Sequence, residues 1–352
     1  MERNLLSIDV DLIQDFSYVL PRIYSEKSKL LTVENYENLA KSKDLHSFFE
    51  KMNKTQYSLT PIIDGIQPRD VEKFLKNVLL EFSYTITDLA PKISNRFIRA
   101  YLSIYDLINL KIALRLKALG FKEEQILSNL PIPLERLKSR SIFLQVVRLK
   151  DLNEVLSLLD RLDFFHEPSF EAIRLSERFQ ESYLIESYID KWYFTSIFDE
   201  CVRLSDFDRK NLLQIIGVEV DAYNLLATTR GKNLGFSGEV LRACIVPRQY
   251  NVGKKSIEQI IEGEASFYEV IEDSGYCSLL PDLHTTLEEG ELAFRKLIFN
   301  ASKQILLQIP FQTGILLSIL KLKEFEIGNL LAIMYGLDFE FEPNEILQQL
   351  IM

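Results

Sequence analysis

An acidic residue, two variable positions and then Asn-Leu occur three times in this chain, at Asp106 to Leu110, Asp221 to Leu225 and Glu326 to Leu330. The acids lie 115 and 105 residues apart. A second pattern keeps the same step: Ser47-Phe-Phe-Glu50 leads to Thr55-Gln-Tyr57, and Ser266-Phe-Tyr-Glu269 leads to Ser274-Gly-Tyr276. A weaker version runs from Asn153 through Leu156 to Phe164. Two unrelated markers with one period of about 110 residues demand a fold built from a unit used three times.

Apolar residues recur at helical spacing, as at Leu75, Val78, Leu79 and Phe82 or at Leu152, Val155, Leu156 and Leu159, while strand-like alternation is scarce. Breaks fall at Pro61 to Pro68, Asn129 to Pro133, His166 to Pro168, Pro247 to Gly253 and Pro281, since proline lacks the amide donor a helix interior needs. The chain therefore reads as all-α. Its 352 residues exceed one hydrophobic core. The expected division is an N-terminal helical segment, 1–32, followed by three similar helical lobes at 33–141, 142–255 and 256–352. No Pro/Gly-rich or low-complexity spacer separates them, so the lobes are expected to pack directly together.

The longest apolar stretch, Ile305 to Leu320, is interrupted by Gln308, Pro310, Gln312 and Thr313 and falls short of the ~20 residues of a membrane span. The N-terminus, with Glu2, Arg3, Asp9 and Asp11, lacks the apolar run of a secretory signal, and a cytoplasmic protein is expected. Cys201, Cys244 and Cys277 are odd in number and far apart, which suits reduced thiols. A net charge of −10 argues against nucleic acid as a partner. Charge is uneven, however: residues 92–150 carry a net +8 and Leu322 to Met352 a net −5. The basic stretch reads as a solvated surface or as a means of orienting against partners or against its own neighbouring lobe. The acidic end is expected to face away from phospholipid heads or to meet a basic partner.

Within each signature the acid and the Asn stand three apart, so on a helix they share a face and can reach a common partner. Asn109, Asn224 and Asn329 either satisfy backbone groups inside each lobe, as buried amides must, or line a shared surface that receives a partner. Past the first two asparagines, Arg115, Lys117 and Gly120-Phe121 are matched in register by Arg230, Lys232 and Gly235-Phe236. Glycine followed by an apolar residue suits a left-handed helix end, and cations in the last turn complement the dipole. The same four cations could instead grip an acidic partner. The third signature has Tyr335 and Leu337 there, which excludes a symmetric basic ring.

Reactive constellations are missing. His46, His166 and His284 show no metal-binding spacing, and Gly253-Lys254-Lys255-Ser256 lacks the first glycine of a phosphate loop. No nucleophile elbow or dinucleotide fingerprint occurs, and neither catalysis nor a cofactor is expected. Two rivals stand beside this reading. A helical-repeat adaptor would bind a partner in a concave surface, although solenoid units usually run only ~20–45 residues. An all-helical lyase or prenyl transferase would need clustered acids, which are not seen.

Four stretches resemble a known family, the central-stalk connector of rotary ATPases, which is the C-type stalk component of archaeal and bacterial A/V-type enzymes and the d-type component of the eukaryotic vacuolar ATPase. Tyr18 to Leu31 with Tyr36 to Tyr57 is similar to its opening, and Tyr105 to Lys117 to its first signature helix. Glu186 to Tyr193 leading to Asp221 to Lys232 looks like the second, and Pro310 to Ile333 with Glu345 like the closing helix. Gly328 departs from the basic residue that commonly precedes the family's Asn. The resemblance implies three helical lobes in a pseudo-three-fold funnel with a central cavity. It also implies a base seated on the membrane proteolipid ring, a cavity receiving the D/F-type shaft subunits, and torque passed on without ATP binding, in proton or sodium transport. The protein would be peripheral to the membrane. Asp106, Asn109, Arg115, Lys117, Asp221, Asn224, Arg230, Lys232, Glu326 and Asn329 are the candidate repeat-signature or interface residues.

Overall fold

The computed structural model describes residues 10–57, 67–162, 166–179, 181, 183–277 and 286–352. Pro61, Phe164, Pro281 and His284 lie outside the described residues. Every element among the described residues is a helix, as the periodicity predicts. Two helices, α1 (Val10–Ser17) and α2 (Leu20–Lys29), precede the first repeat.

The helix order then recurs. The first copy runs α3 (Val33–Ala40), α4 (Leu45–Met52), α5 (Pro68–Asp88), α6 (Lys92–Ala118) and α7 (Glu123–Asn129), closed by a 3-10 turn at Leu134–Arg136. The second runs α8 (Arg140–Arg148), α9 (Leu152–Leu162), α10 (His166–Phe179), α11 (Leu184–Val202), α12 (Asp206–Leu213), α13 (Ile216–Asn233) and α14 (Gly238–Cys244). The third runs α15 (Lys254–Glu262), α16 (Phe267–Glu272), α17 (Leu287–Ile305), α18 (Thr313–Asp338) and α19 (Pro343–Gln348). Two short helices, long helices and one last short helix make up each copy. The second copy differs in two ways: α10 is an added helix, and α12 with α13 fill the register of the single helices α6 and α18.

Local chemistry sets these ends. Thr32 with Asn35, and Ser266 with Glu269, form reciprocal capping boxes at the starts of α3 and α16. Ser47, which matches Ser266 in the repeat, is one turn inside its helix, because Asp44 takes the cap of α4. Pro68 opens α5, where its missing amide proton is no loss.

The chain packs as two compact units, Met1–Ile98 with Arg295–Met352, and Arg99–Phe294. In the first, α18 lies along α5 and also meets α2, α3, α4 and α19. Residues 313–323 of α18 are buried without interruption, Lys321 and Lys323 included, so this helix is enclosed all round. Ile315, Leu316 and Leu317 belong to that core, whereas Leu307 is 78% exposed. In the second unit, α13 packs on α11, α12, α14 and α15, and α10 packs on α11.

Candidate functional site

The three signature asparagines do one job each, and it is the same job. Asn109 donates Nδ2 to the carbonyl of Ile132 (2.8 Å) while its Oδ1 accepts the amide of Ile132 (3.0 Å). Asn224 exchanges the same two bonds with Val246 (3.1 and 2.8 Å), and Asn329 with Ile351 (2.7 and 2.9 Å). Each partner residue follows the short helix that ends its copy. All three amides are buried, and a carboxamide is the side chain that offers a donor and an acceptor at this reach. The clamp ties the end of each copy to its own long helix.

The acids take further partners of their own, and in the third copy one side chain faces both members of the pair: Tyr36 is hydrogen-bonded to Asn329 and lies beside Glu326. Asp221 accepts the amides of Tyr250 (3.2 Å), Asn251 (2.6 Å) and Val252 (3.1 Å), at the entry to α15, and the hydroxyl of Tyr276 (2.7 Å). Glu326 accepts the amide of Leu31 at the entry to α3, the amide of the Gln56 side chain (3.0 Å) and the hydroxyl of Tyr57. Asp106 accepts the hydroxyl of Ser139, the residue before α8. Each acid thus holds the first helix of another copy: Asp106 that of the second, Asp221 that of the third, and Glu326 that of the first. Tyr57 and Tyr276 end the second sequence marker, which is why the two markers share a period. The matching position in the second copy is Phe164, which has no hydroxyl.

Burial raises the pKa of the Asp221 carboxyl, against the pull of its four donors. Asp106, with a single hydroxyl, is pushed up from 3.8 to about 6 by burial. Tyr57 and Tyr276 are pushed far above the ordinary phenol value, first by burial and then by the acids they face. Lys323 lies 2.8 Å from Glu326, donates to the Tyr57 hydroxyl, and sits 4.6 Å from the Tyr57 ring centroid. At 3% and 2% exposure this ion pair is held in the core of its unit. Lys323 and the tyrosines escaped the sequence reading as partners. The repeated Tyr at 57 and 276 was the available signal, but nothing local ties it to an acid.

The matched cations also find partners within the chain. Lys117 donates to the carbonyls of Val147 (3.2 Å) and Leu149, and Lys232 to that of Ile260 (2.6 Å), so each caps the C-terminal end of α8 or α15 rather than of its own helix. Arg115 pairs with Glu186 at 2.7 Å and Arg230 with Glu291 at 2.6 Å. In the third copy Tyr335 donates its hydroxyl to Glu72, replacing the ion pair by a hydrogen bond. The helix ends that follow share one backbone path. Gly120 and Gly235 adopt φ of 78° and 82°, and Glu340 takes the same left-handed place at 60°.

A family model for the ATP synthase (C/AC39) subunit matches residues 19–349. The chain belongs to this family. C/AC39 proteins are non-catalytic components of rotary ATPases. The chain is 25% identical over 353 residues to the C-type subunit of the A-type ATP synthase of Methanocaldococcus jannaschii, covering 96% of this chain and 86% of that one. It is 24% identical over 344 residues to the corresponding A-type ATP synthase protein of Pyrococcus abyssi (94% and 89% covered) and 21% over 339 to that of Thermococcus gammatolerans (94% and 88%). In this C/AC39 chain a side chain added at Gly328 would meet the Arg295 guanidinium at 3.7 Å, so a cation from α17 stands beside the place where the resemblance expects a basic residue. Among the described residues no helix is long and apolar enough to cross a membrane, and no group of three or more His, Cys, Asp or Glu is placed to hold a metal ion.

Proposed function

We propose that this C/AC39 protein is the connector of an A/V-type rotary ATPase, seated between D/F-type shaft subunits and the membrane proteolipid ring, and that it passes torque in proton or sodium transport. In this reading it is peripheral to the cytoplasmic face of the membrane. Its lobes, 33–141, 142–255 and 256–352 behind the segment 1–32, form a funnel whose central cavity receives the shaft.

The observation that carries this is the family match over residues 19–349. The wiring of the signature supports it. A body that transmits torque must not shear between its parts, and here each acid holds the opening helix of another copy, with Glu326 returning to Leu31 and Tyr57 at the start of the chain. The links at Asp221 and Glu326 are buried and multiply bonded, and such links resist sliding better than exposed ion pairs, which contribute only about 0–1 kcal/mol each. The repeat-signature residues then act as the joints of the connector, and the partner surfaces lie elsewhere on it.

The test is purification of the tagged chain from its own membranes in mild detergent. Shaft and proteolipid subunits are expected to co-elute, and membranes lacking the chain are expected to lose ATP-driven ion pumping. A tagged chain that elutes alone, with pumping intact in its absence, would sink the proposal.

A further inference from the structure

The same left-handed turn ends the long helix of all three copies, yet the third turn is dressed differently. Each turn closes by two backbone bonds: Gly120 to Lys117 and Phe121 to Leu116, Gly235 to Lys232 and Phe236 to Gly231, Glu340 to Leu337 and Phe341 to Gly336. The second copy reads Asn233-Leu-Gly-Phe-Ser237 and the third Asp338-Phe-Glu-Phe-Glu342. In the second, the Phe236 ring is stacked on Tyr183 at 4.4 Å. In the third, Phe339 and Phe341 are 66% and 55% exposed and lie 6.3 Å apart, centroid to centroid.

All five residues of this knuckle face solvent. Elsewhere in the acidic end the carboxylates are engaged: Glu324 with Lys321, Glu326 with Lys323, and Glu345 with the amide of Glu342. Among the described residues, no Lys or Arg lies at ion-pair distance from Asp338, Glu340 or Glu342. Two bare aromatic rings set between three unmatched carboxylates complement one chemistry, a protein segment whose Lys or Arg side chains reach the acids while their stems and neighbouring apolar residues cover the rings.

Resting on the connector reading, we propose that the knuckle Asp338–Glu342 is a docking point for a basic segment of the shaft subunits. The shaft is favoured over the proteolipid ring because the ring is set among lipid heads, and an anionic leaflet repels three carboxylates.

The repeat supplies the control. The variant Asp338→Asn, Phe339→Leu, Glu340→Gly, Glu342→Ser gives the knuckle the residues of the second copy, which already hold this backbone. Binding of the full-length chain to purified shaft subunits, and separately to the detergent-solubilised proteolipid ring, is measured at 50 and 300 mM NaCl. The expected result is at least tenfold weaker shaft binding at low salt, a flatter salt dependence, and unchanged ring binding. Unchanged shaft affinity, or a loss confined to the ring, overturns the proposal. A wild-type chain that binds neither partner rejects the connector reading itself, and the docking point with it.

Discussion

Asn224 illustrates what one side chain can settle. Its amide occupies both the N–H and the C=O of Val246, so Asn224→Ala strands two buried backbone groups at once. Each stranded group costs about 1–3 kcal/mol, and a loss of about 2–4 kcal/mol in urea unfolding is expected. A loss below about 0.5 kcal/mol would mean that water or another side chain replaces the clamp. The turns offer the opposite sign. Glu340 holds φ of 60°, where a residue with a Cβ is strained by about 1 kcal/mol, so Glu340→Gly should raise stability by about that amount and Gly235→Ala lower it similarly. Paired thermal melts of these two variants would show it; equal shifts in the same direction would refute the strain argument.

At the scale of elements, the join between α6 and α8 is the weakest of the three acid joins. Asp106 has Ser139, whereas Asp221 has a tyrosine and three backbone amides and Glu326 a tyrosine, one backbone amide and the Gln56 side chain. With its carboxyl pushed up to about 6, the folded chain keeps a proton that the unfolded chain has released above about pH 4. Stability from this group is therefore complete below about pH 4 and falls as pH rises through 6, by at most about 3 kcal/mol. Asp106→Asn should flatten the unfolding midpoint between pH 4 and 7, whereas an unchanged slope would show that the carboxyl titrates normally.

The same joins mark what the sequence could and could not disclose. Repeat period, helical class and the glycine helix ends were all local patterns, legible without coordinates. Tyr57 and Glu326 are separated by most of the chain, and no periodicity links them. The separation of α12 from α13 was equally hidden, since Leu213 to Ile216 contains neither Pro nor Gly. There Gly217 lets the Tyr250 ring approach to where a Cβ would sit 2.5 Å from it, a tertiary fit with no signature in the segment itself. The cations misled for a related reason: Lys117 and Lys232 sit in the last turns of their own helices, but their Nζ atoms cap other ones.

For the whole molecule, the first unit is assembled from both ends of the chain. Leu350 and Ile351, 2% and 1% exposed, are part of its core, and Ile351 is the residue clamped by Asn329. Deleting residues 349–352 should lower the calorimetric midpoint by about 5–10 °C, as the loss of several kcal/mol from a chain of this size implies. An unchanged midpoint would show that the closing residues are dispensable. The order of synthesis follows from the same arrangement. A ribosome delivers everything the middle unit needs before it delivers α18, the partner of the opening helices, so those helices wait with their apolar faces uncovered until α18 has been made. During that interval the nascent chain is a client for holding chaperones, and slowing elongation late in the message should cost more soluble product than slowing it early.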